Sequence, residues 1–224
     1  MAIKQSTVWR NMSLLRIDAS IKGPMSASAE LADIVLAEWN TMRPDEPVVR
    51  RHLGVDPFAS TDWVLANYAT WKPAEQRSDA EWTALELAMT LAQELRDADA
   101  AVFAFPLYNW GVSAHVKAWV DLVIAGAENT NERLLDGKPV VLVTTRGAGY
   151  GPGMPRAGWD NNTPYLRRIL GDLWGADVTA VVEREFLFVG PNPAYSKYVE
   201  EAEASKKAAL DAASAAGKAL HTAY

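Results

Sequence analysis

The chain has 224 residues, with 22 lysines and arginines against 28 aspartates and glutamates, a net charge of −6 and no cysteine. That length suits one well-buried domain over 1–224. The lack of a basic cluster argues against nucleic acid as a partner. The missing cysteine excludes disulfides, thiolate catalysis and cysteine-based metal sites, and fits a reducing, cytoplasmic compartment. The amino-terminal MAIKQSTVWRNMSLLRI lacks the apolar core of a leader, and no stretch is apolar enough to span a membrane. Asn11-Met12-Ser13 and Asn161-Asn162-Thr163 fit the glycosylation pattern and read as chance matches.

Met12 to Ala19 reads as a strand. Ser26 to Met42 reads as a helix with Leu31, Ile34, Val35, Trp39 and Met42 on one face, ended by Pro44. Val48 to Leu53 is a second strand. Gly54 to Pro73 is less regular, with room for a short helix. Asp79 to Arg96 is a helix that turns Trp82, Leu85, Met89 and Ala92 inward. Ala100 to Phe105 is a near-continuous apolar run, the pattern of a strand covered on both faces. Val112, Val116, Trp119, Val120 and Val123 form the inner stripe of the next helix. Pro139 to Thr145 is the fourth strand. A glycine-rich loop, a helix from Thr163 to Leu173, a fifth strand from Asp177 to Phe188 and an alanine-rich helix from Ala194 to Leu220 complete the chain.

Strands alternate with helices throughout. This predicts an α/β fold, a single doubly wound five-stranded parallel sheet in the flavodoxin-like order 2-1-3-4-5. In such sheets a ligand sits beyond the carboxyl ends of the strands, where the strand order reverses. The loops after strands one, three and four therefore carry the chemistry.

After strand one, Ser20, Ser26 and Ser28 crowd a helix start, with Gly23-Pro24 turning the chain and Lys22 nearby. Free N–H groups, the helix dipole and hydroxyls together make a phosphate site, although Ser26 or Ser28 can equally be a plain helix cap. After strand three, Pro106 ends the ladder and frees the following N–H groups. Tyr108 and Trp110 can stack on a flat ring, and Asn109 can hold a sharp turn; the same aromatics can also be packing residues. His115 reads as a surface or supporting residue, and Lys117 with Asp121 as a solvated i, i+4 pair. After strand four, Gly147 and Gly149 allow close backbone approach, Thr145 can donate a hydrogen bond and Arg146 adds positive charge. Neither a Walker loop nor a Rossmann G-x-G-x-x-G is present. The three histidines, His52, His115 and His221, lie outside any G-x-S-x-G context, which disfavours a hydrolase.

A phosphate site, an aromatic loop and a glycine-rich loop at one sheet edge suit flavin mononucleotide (FMN). The motifs Ser20 with Ser26-Ala27-Ser28, Pro106-Leu107-Tyr108-Asn109-Trp110 with Lys117, Thr145-Arg146-Gly147-Ala148, and Thr163-Pro164-Tyr165-Leu166 ahead of Leu170-Gly171 cover most of the chain. In this order they resemble the FMN-dependent NADH azoreductases, within the NAD(P)H:quinone oxidoreductase group of flavodoxin-like proteins. The resemblance implies that Ser20, Met25, Ser26, Ala27 and Ser28 hold the FMN phosphate. It implies that Leu107, Tyr108, Asn109 and Trp110 lie along the isoalloxazine, and that Thr145, Arg146, Gly147 and Ala148 lie near its pyrimidine side. It further implies a homodimer that passes hydride from NADH or NADPH through FMN to a quinone or azo compound by a ping-pong scheme, with no metal and no catalytic side chain. Ala27 stands where a polar residue is common, and Ala148 where a second glycine is common. The connection Ala125 to Pro139 is short and polar where the family carries aromatics lining the substrate pocket, which implies a more open acceptor pocket. The competing expectation from a different class is a flavin-binding electron carrier or redox sensor with no turnover of its own.

Overall fold

The structure is a computed structural model that describes residues 12–222. The Asn11 glycosylation match, the amino-terminal segment and the side chain of His221 lie outside the described residues. Chain order is β1 (Leu14–Asp18), α1 (Ala27–Met42), β2 (Val48–His52), α2 (Ser60–Thr70), α3 (Asp79–Asp97), β3 (Ala100–Ala104), α4 (Ala114–Gly126), β4 (Pro139–Thr145), α5 (Thr163–Arg167), β5 (Asp177–Arg184) and α6 (Val199–Thr222). All five strands are parallel in the order β2-β1-β3-β4-β5. The alternating pattern therefore gives the doubly wound sheet that it predicts.

The three central strands β1, β3 and β4 are buried along their whole length, as a sheet covered by helices on both faces requires. Leu14, Val102, Val141 and Val143 pack against Leu31, Val35 and Trp39 of α1 and the alanines of α6. Leu15, Ile17, Phe103 and Phe105 point the other way, onto α3 and α4. There the Trp119 ring meets Phe103, Phe105 and Trp174 at 5.8, 5.6 and 5.5 Å. Helix starts follow their capping chemistry. The Ser78 hydroxyl accepts the Glu81 N–H while the Glu81 carboxylate accepts the Ser78 N–H, and Ser113 accepts from Val116. Edge strand β2 carries the exposed Arg50, a charge that discourages pairing with another sheet, while Arg51 pairs with Glu94 of α3.

Five local expectations are corrected. Met42 is exposed, because the last buried turn of α1 closes at Trp39. Met89 is exposed too, and Trp82 is half-buried under the Arg77 guanidinium rather than in the core. The phase of α3 is set by Ala88, which lies against Gly126 of α4, so the inner stripe runs Ala84, Ala88, Leu91, Ala92, Leu95. The helix from Thr163 is α-helical only to Arg167 and then widens into a π-helical stretch, Arg168–Leu173, where the Trp174 N–H reaches the Ile169 carbonyl. Finally, β5 ends at Arg184, not at Phe188, because Phe186 adopts a left-handed conformation (φ 62°) that turns the chain out of the ladder. The Ala125 to Pro139 connection runs to the amino end of β4, the sheet edge away from the cleft described below. Leu134 and Leu135 bury it there.

A Cβ at Gly126 would collide with the Ala88 carbonyl. Gly126→Ala should lower stability by about 1–3 kcal/mol through forced separation of α3 and α4. Urea unfolding reads this directly, and an unchanged midpoint would show that the contact is not tight.

Candidate functional site

Helices α1 and α4 leave neighbouring strands β1 and β3 for opposite faces of the sheet, and a cleft of about 230 Å³ opens between the loops. Ser20, Ala27, Leu107, Tyr108, Asn109, Trp110, Thr145, Arg146, Gly147 and Ala148 line it, together with Lys22. Ser28 stands behind this lining, and Ser26 and Met25, the latter 84% exposed, line an adjoining groove.

The helix-cap reading of the serine loop is met. Ser26 caps α1: its hydroxyl accepts the Ala29 N–H (3.1 Å) and contacts the Ser28 hydroxyl (3.1 Å). That leaves the Ala27 and Ser28 N–H groups, which sit in the first turn and have no protein acceptor among the described residues. Beneath this helix start lies a polar pair inside an otherwise apolar strand. Arg16, buried, donates to both oxygens of Asp18 (2.8 and 3.1 Å), to Asp33 (2.5 Å) and to the Ala29 carbonyl (3.3 Å). An i, i+2 charge pair within a buried strand was the available signal for it.

The loop after β3 is a hairpin turn. Tyr108 and Gly111 exchange both N–H···O bonds at 3.0 Å, and Asn109 (φ 47°) and Trp110 (φ 65°) occupy the two left-handed positions of a type I′ turn. Asparagine suits its place, whereas tryptophan there is strained by about 1–3 kcal/mol. Surrounding contacts hold it: the Trp110 carbonyl accepts from the Asn161 N–H and Nδ2, and its ring lies edge-on to Trp159 at 5.9 Å. Two expectations change here. The Leu107 N–H is not free but donates to the Thr145 carbonyl (3.0 Å), while the Asn109 and Trp110 N–H groups at the tip of the turn lack a protein acceptor among the described residues. Tyr108 is a strut as well as a wall: its hydroxyl accepts the Ile21 N–H (3.2 Å) and lies 3.4 Å from the Ser20 hydroxyl. His115 plays a supporting part, with Nε2 2.6 Å from the Ala19 carbonyl, and Lys117 pairs with Asp121.

The loop after β4 brings the largest correction. Arg146 is only 5% exposed, and its two terminal nitrogens are committed while its buried Nε has no partner among the described residues. Its guanidinium bonds Asp160 (2.5 Å), Glu183 (2.6 Å), Glu185 (3.2 Å) and the Thr163 hydroxyl (2.9 Å). Burial opposes its charge, but Glu183 and Asp160 raise its pKa above the ordinary value. Arg146 therefore ties the ends of β4 and β5 together, with most of its charge balanced by these carboxylates. Burial pushes the Glu185 carboxyl up, against the pull of the Tyr150 N–H and Arg146. Nor are the glycines there only for a ligand: a Cβ at Gly147 would enter the Phe188 ring, and one at Gly149 the Phe186 ring. What the loop does offer is the Thr145 hydroxyl and the N–H groups of Gly147, Ala148 and Gly149, none with a protein acceptor among the described residues.

The structure adds Tyr150, Arg156, Leu187, Phe188 and Tyr195 to the lining. They come from the glycine-rich loop and from the chain beyond β5, where Leu187 and Phe188 have left the expected strand and Tyr195 lies in a 3-10 turn ahead of α6. The Arg156 guanidinium lies over the rings of Trp110 (5.3 Å) and Trp159 (4.9 Å). Among the described residues, no group of three or more histidine, aspartate and glutamate side chains is placed to hold a metal.

Burial alone would raise the Asp160 carboxyl, but the Thr163 N–H, Arg146, the Thr163 hydroxyl and the Asn162 N–H outweigh it and hold it below its ordinary 3.8. A carboxyl with a depressed folded-state pKa contributes stability above its unfolded value and loses it as pH falls through the folded one. Asp160→Asn should therefore destabilise by about 1–2 kcal/mol at neutral pH, discounted for its partial exposure. The gap to the wild type should shrink below about pH 4. Urea midpoints at neutral pH and at about pH 3 check this.

Residues 12–216 match the family described as flavodoxin-like fold. The FMN-dependent NADH:quinone oxidoreductase of Frankia casuarinae is 32% identical over 204 residues, covering 89% of this chain and 96% of that one. Its namesake from Streptomyces avermitilis is 33% identical over 217 residues, covering 93% and 96%. The crystal structure of an azoreductase from Bacillus anthracis Sterne superposes with a TM-score of 0.75 at 22% identity, over 93% of this chain and 99% of that one, and shows the same fold. Matched across nearly its whole described length, the chain belongs to the flavodoxin-like fold family, in the group of the FMN-dependent NADH:quinone oxidoreductases.

Proposed function

We propose that this protein is a cytoplasmic, FMN-dependent oxidoreductase that takes electrons from NADH or NADPH and delivers them to a quinone, with azo compounds as a second acceptor class. The observation that carries this reading is a cleft at the β1/β3 switch point with unpaired N–H groups at both ends. The residues fit FMN. The Ala27 and Ser28 N–H groups, the Ser20 hydroxyl and Lys22 suit its phosphate. Asn109, Trp110 and Leu107 suit one side of its ring. Thr145 and the N–H groups of Gly147 and Ala148 suit the acceptor-rich ring edge. Ser26 and Ser28 shape the helix start from behind, and Arg146 braces the glycine loop.

When bound, FMN supplies the two-electron chemistry. The chain's own residues bind, orient and polarise. The unpaired N–H groups after β4 set partial positive charge beside the ring edge, where negative charge collects on reduction. Trp110 and Phe188 present apolar surface that keeps water from part of the cleft. Donor and acceptor use the same open side in turn, which gives a ping-pong scheme. No proton-transferring side chain is assigned.

One chain encloses less volume than the roughly 300–1,000 Å³ of a complete small-molecule site. This supports a homodimer in which a second copy helps to close the cleft. The exposed aromatics Trp63, Tyr68 and Trp71 of α2 and its end offer an apolar contact surface.

Purified protein should be yellow, oxidise NADH with a soluble quinone and give parallel double-reciprocal lines. A colourless protein that cannot be loaded with FMN would overturn the reading, and a yellow one without turnover would favour the electron carrier. Trp110→Gly removes the ring and relieves the left-handed strain. It should weaken FMN binding about tenfold, equal to about 1.4 kcal/mol, with the far-ultraviolet spectrum unchanged; wild-type retention would remove Trp110 from the site.

A further inference from the structure

The cleft contains two arginines in opposite electrostatic conditions. Arg146 faces three carboxylates, whereas Arg156 makes no ion pair and no side-chain hydrogen bond among the described residues. Its contacts are aromatic. The guanidinium carbon lies 4.9 Å from the Trp159 ring centre and 5.3 Å from that of Trp110. Trp110 and Trp159 are both exposed at the cleft mouth.

This arrangement has a chemical consequence. Stacking engages the face of a guanidinium and leaves its in-plane N–H donors unused, and that planar fork matches a carboxylate, sulfonate or phosphate. Contact with two rings restricts the side chain, so less rotamer freedom is lost when an anion binds. On a chain of net charge −6, anions are otherwise repelled, and a fixed local cation decides which of them enter. Trp110 joins the two roles, since it borders the proposed ring site and also supports Arg156.

We propose that Arg156 is a specificity-determining residue that recognises an anionic group on the flat substrate entering this cleft. The inference rests on the reading above for what enters: a reduced nicotinamide donor and a quinone acceptor. The anionic group comes either from the donor's phosphates or from a sulfonate or carboxylate on the acceptor. In both cases Arg156 acts on binding, with the reacting ring positioned further inside.

The test compares wild type with Arg156→Gln and Arg156→Lys. The acceptor arm uses 1,4-naphthoquinone-2-sulfonate against neutral 2-methyl-1,4-naphthoquinone. The donor arm uses NADH against the neutral 1-benzyl-1,4-dihydronicotinamide. In Arg156→Gln the ratio of KM values, anionic over neutral, should rise about tenfold in one arm, with kcat ratios changing far less. Arg156→Lys should recover part of the difference, because it keeps the charge and loses the fork. The arm that responds identifies the source of the anion. Equal changes for charged and neutral partners in both arms would overturn the proposal. Calorimetric titration of anthraquinone-2-sulfonate separates this from failure of the oxidoreductase reading. Weaker binding to Arg156→Gln in a protein without turnover upholds Arg156 and overturns the activity, whereas unchanged binding together with unshifted KM ratios in both arms of an active enzyme does the reverse.

Discussion

The site depends on one topological constraint, the reversal of strand order between β1 and β3. Both strands are parallel and adjacent, yet the helices that follow them cover opposite faces of the sheet. Their first turns cannot pack against each other, so a crevice stays open above the two carboxyl ends. Everything that lines it arrives by this geometry. The α1 start comes from one side, the β3 hairpin from the middle, and the glycine loop from the next strand. A sheet wound in one direction only would place the same loops in a row with no gap between them.

The alternation of apolar runs and amphipathic stretches carried the strand order, because it depends only on which faces are buried. Finer features depended on neighbours that periodicity does not encode. Met89 fits the apolar stripe of α3 as well as Ala88 does, yet Ala88 faces inward because Gly126 admits a close helix approach there. Phe186 fits a strand, and its left-handed backbone is set by rings that fill the space left by Gly147 and Gly149. In the site, the aromatic and glycine loops were legible because proline and glycine punctuate the chain. Tyr150 and Arg156 were not, since they lie in irregular chain, nor were Leu187, Phe188 and Tyr195, which fall where a strand and a helix are expected but where the chain turns at Phe186 and then forms a 3-10 turn.

Arg146 shows why charge read from a motif differs from charge available to a ligand. The Thr-Arg-Gly sequence places a cation at the loop, but its partners Asp160, Glu183 and Glu185 are 14 to 39 positions away in the chain. A buried cation needs such partners, because uncompensated burial is costly. Once they are in place, the net charge of the cluster is negative. Arg156 escapes neutralisation because it rests on rings, which stabilise a cation without consuming its donors. The positive end of the cleft is thus set by aromatic residues rather than by the arginine that the motif displays.

The same coupling explains how a strained turn persists in an open cleft. Left-handed Trp110 would relax if the hairpin were free to do so. It is not free, because the Tyr108 hydroxyl grips the Ile21 N–H, the Leu107 N–H grips the Thr145 carbonyl, and Asn161 holds the Trp110 carbonyl. Each bond joins the hairpin to a different loop, so the three loops behave as one unit and the strain is spread over all of them. A cradle of this kind loses little freedom when a ligand arrives, since its groups are already in place. The cost of holding Trp110 out of its preferred backbone conformation is met in folding, by contacts that do not involve the ligand.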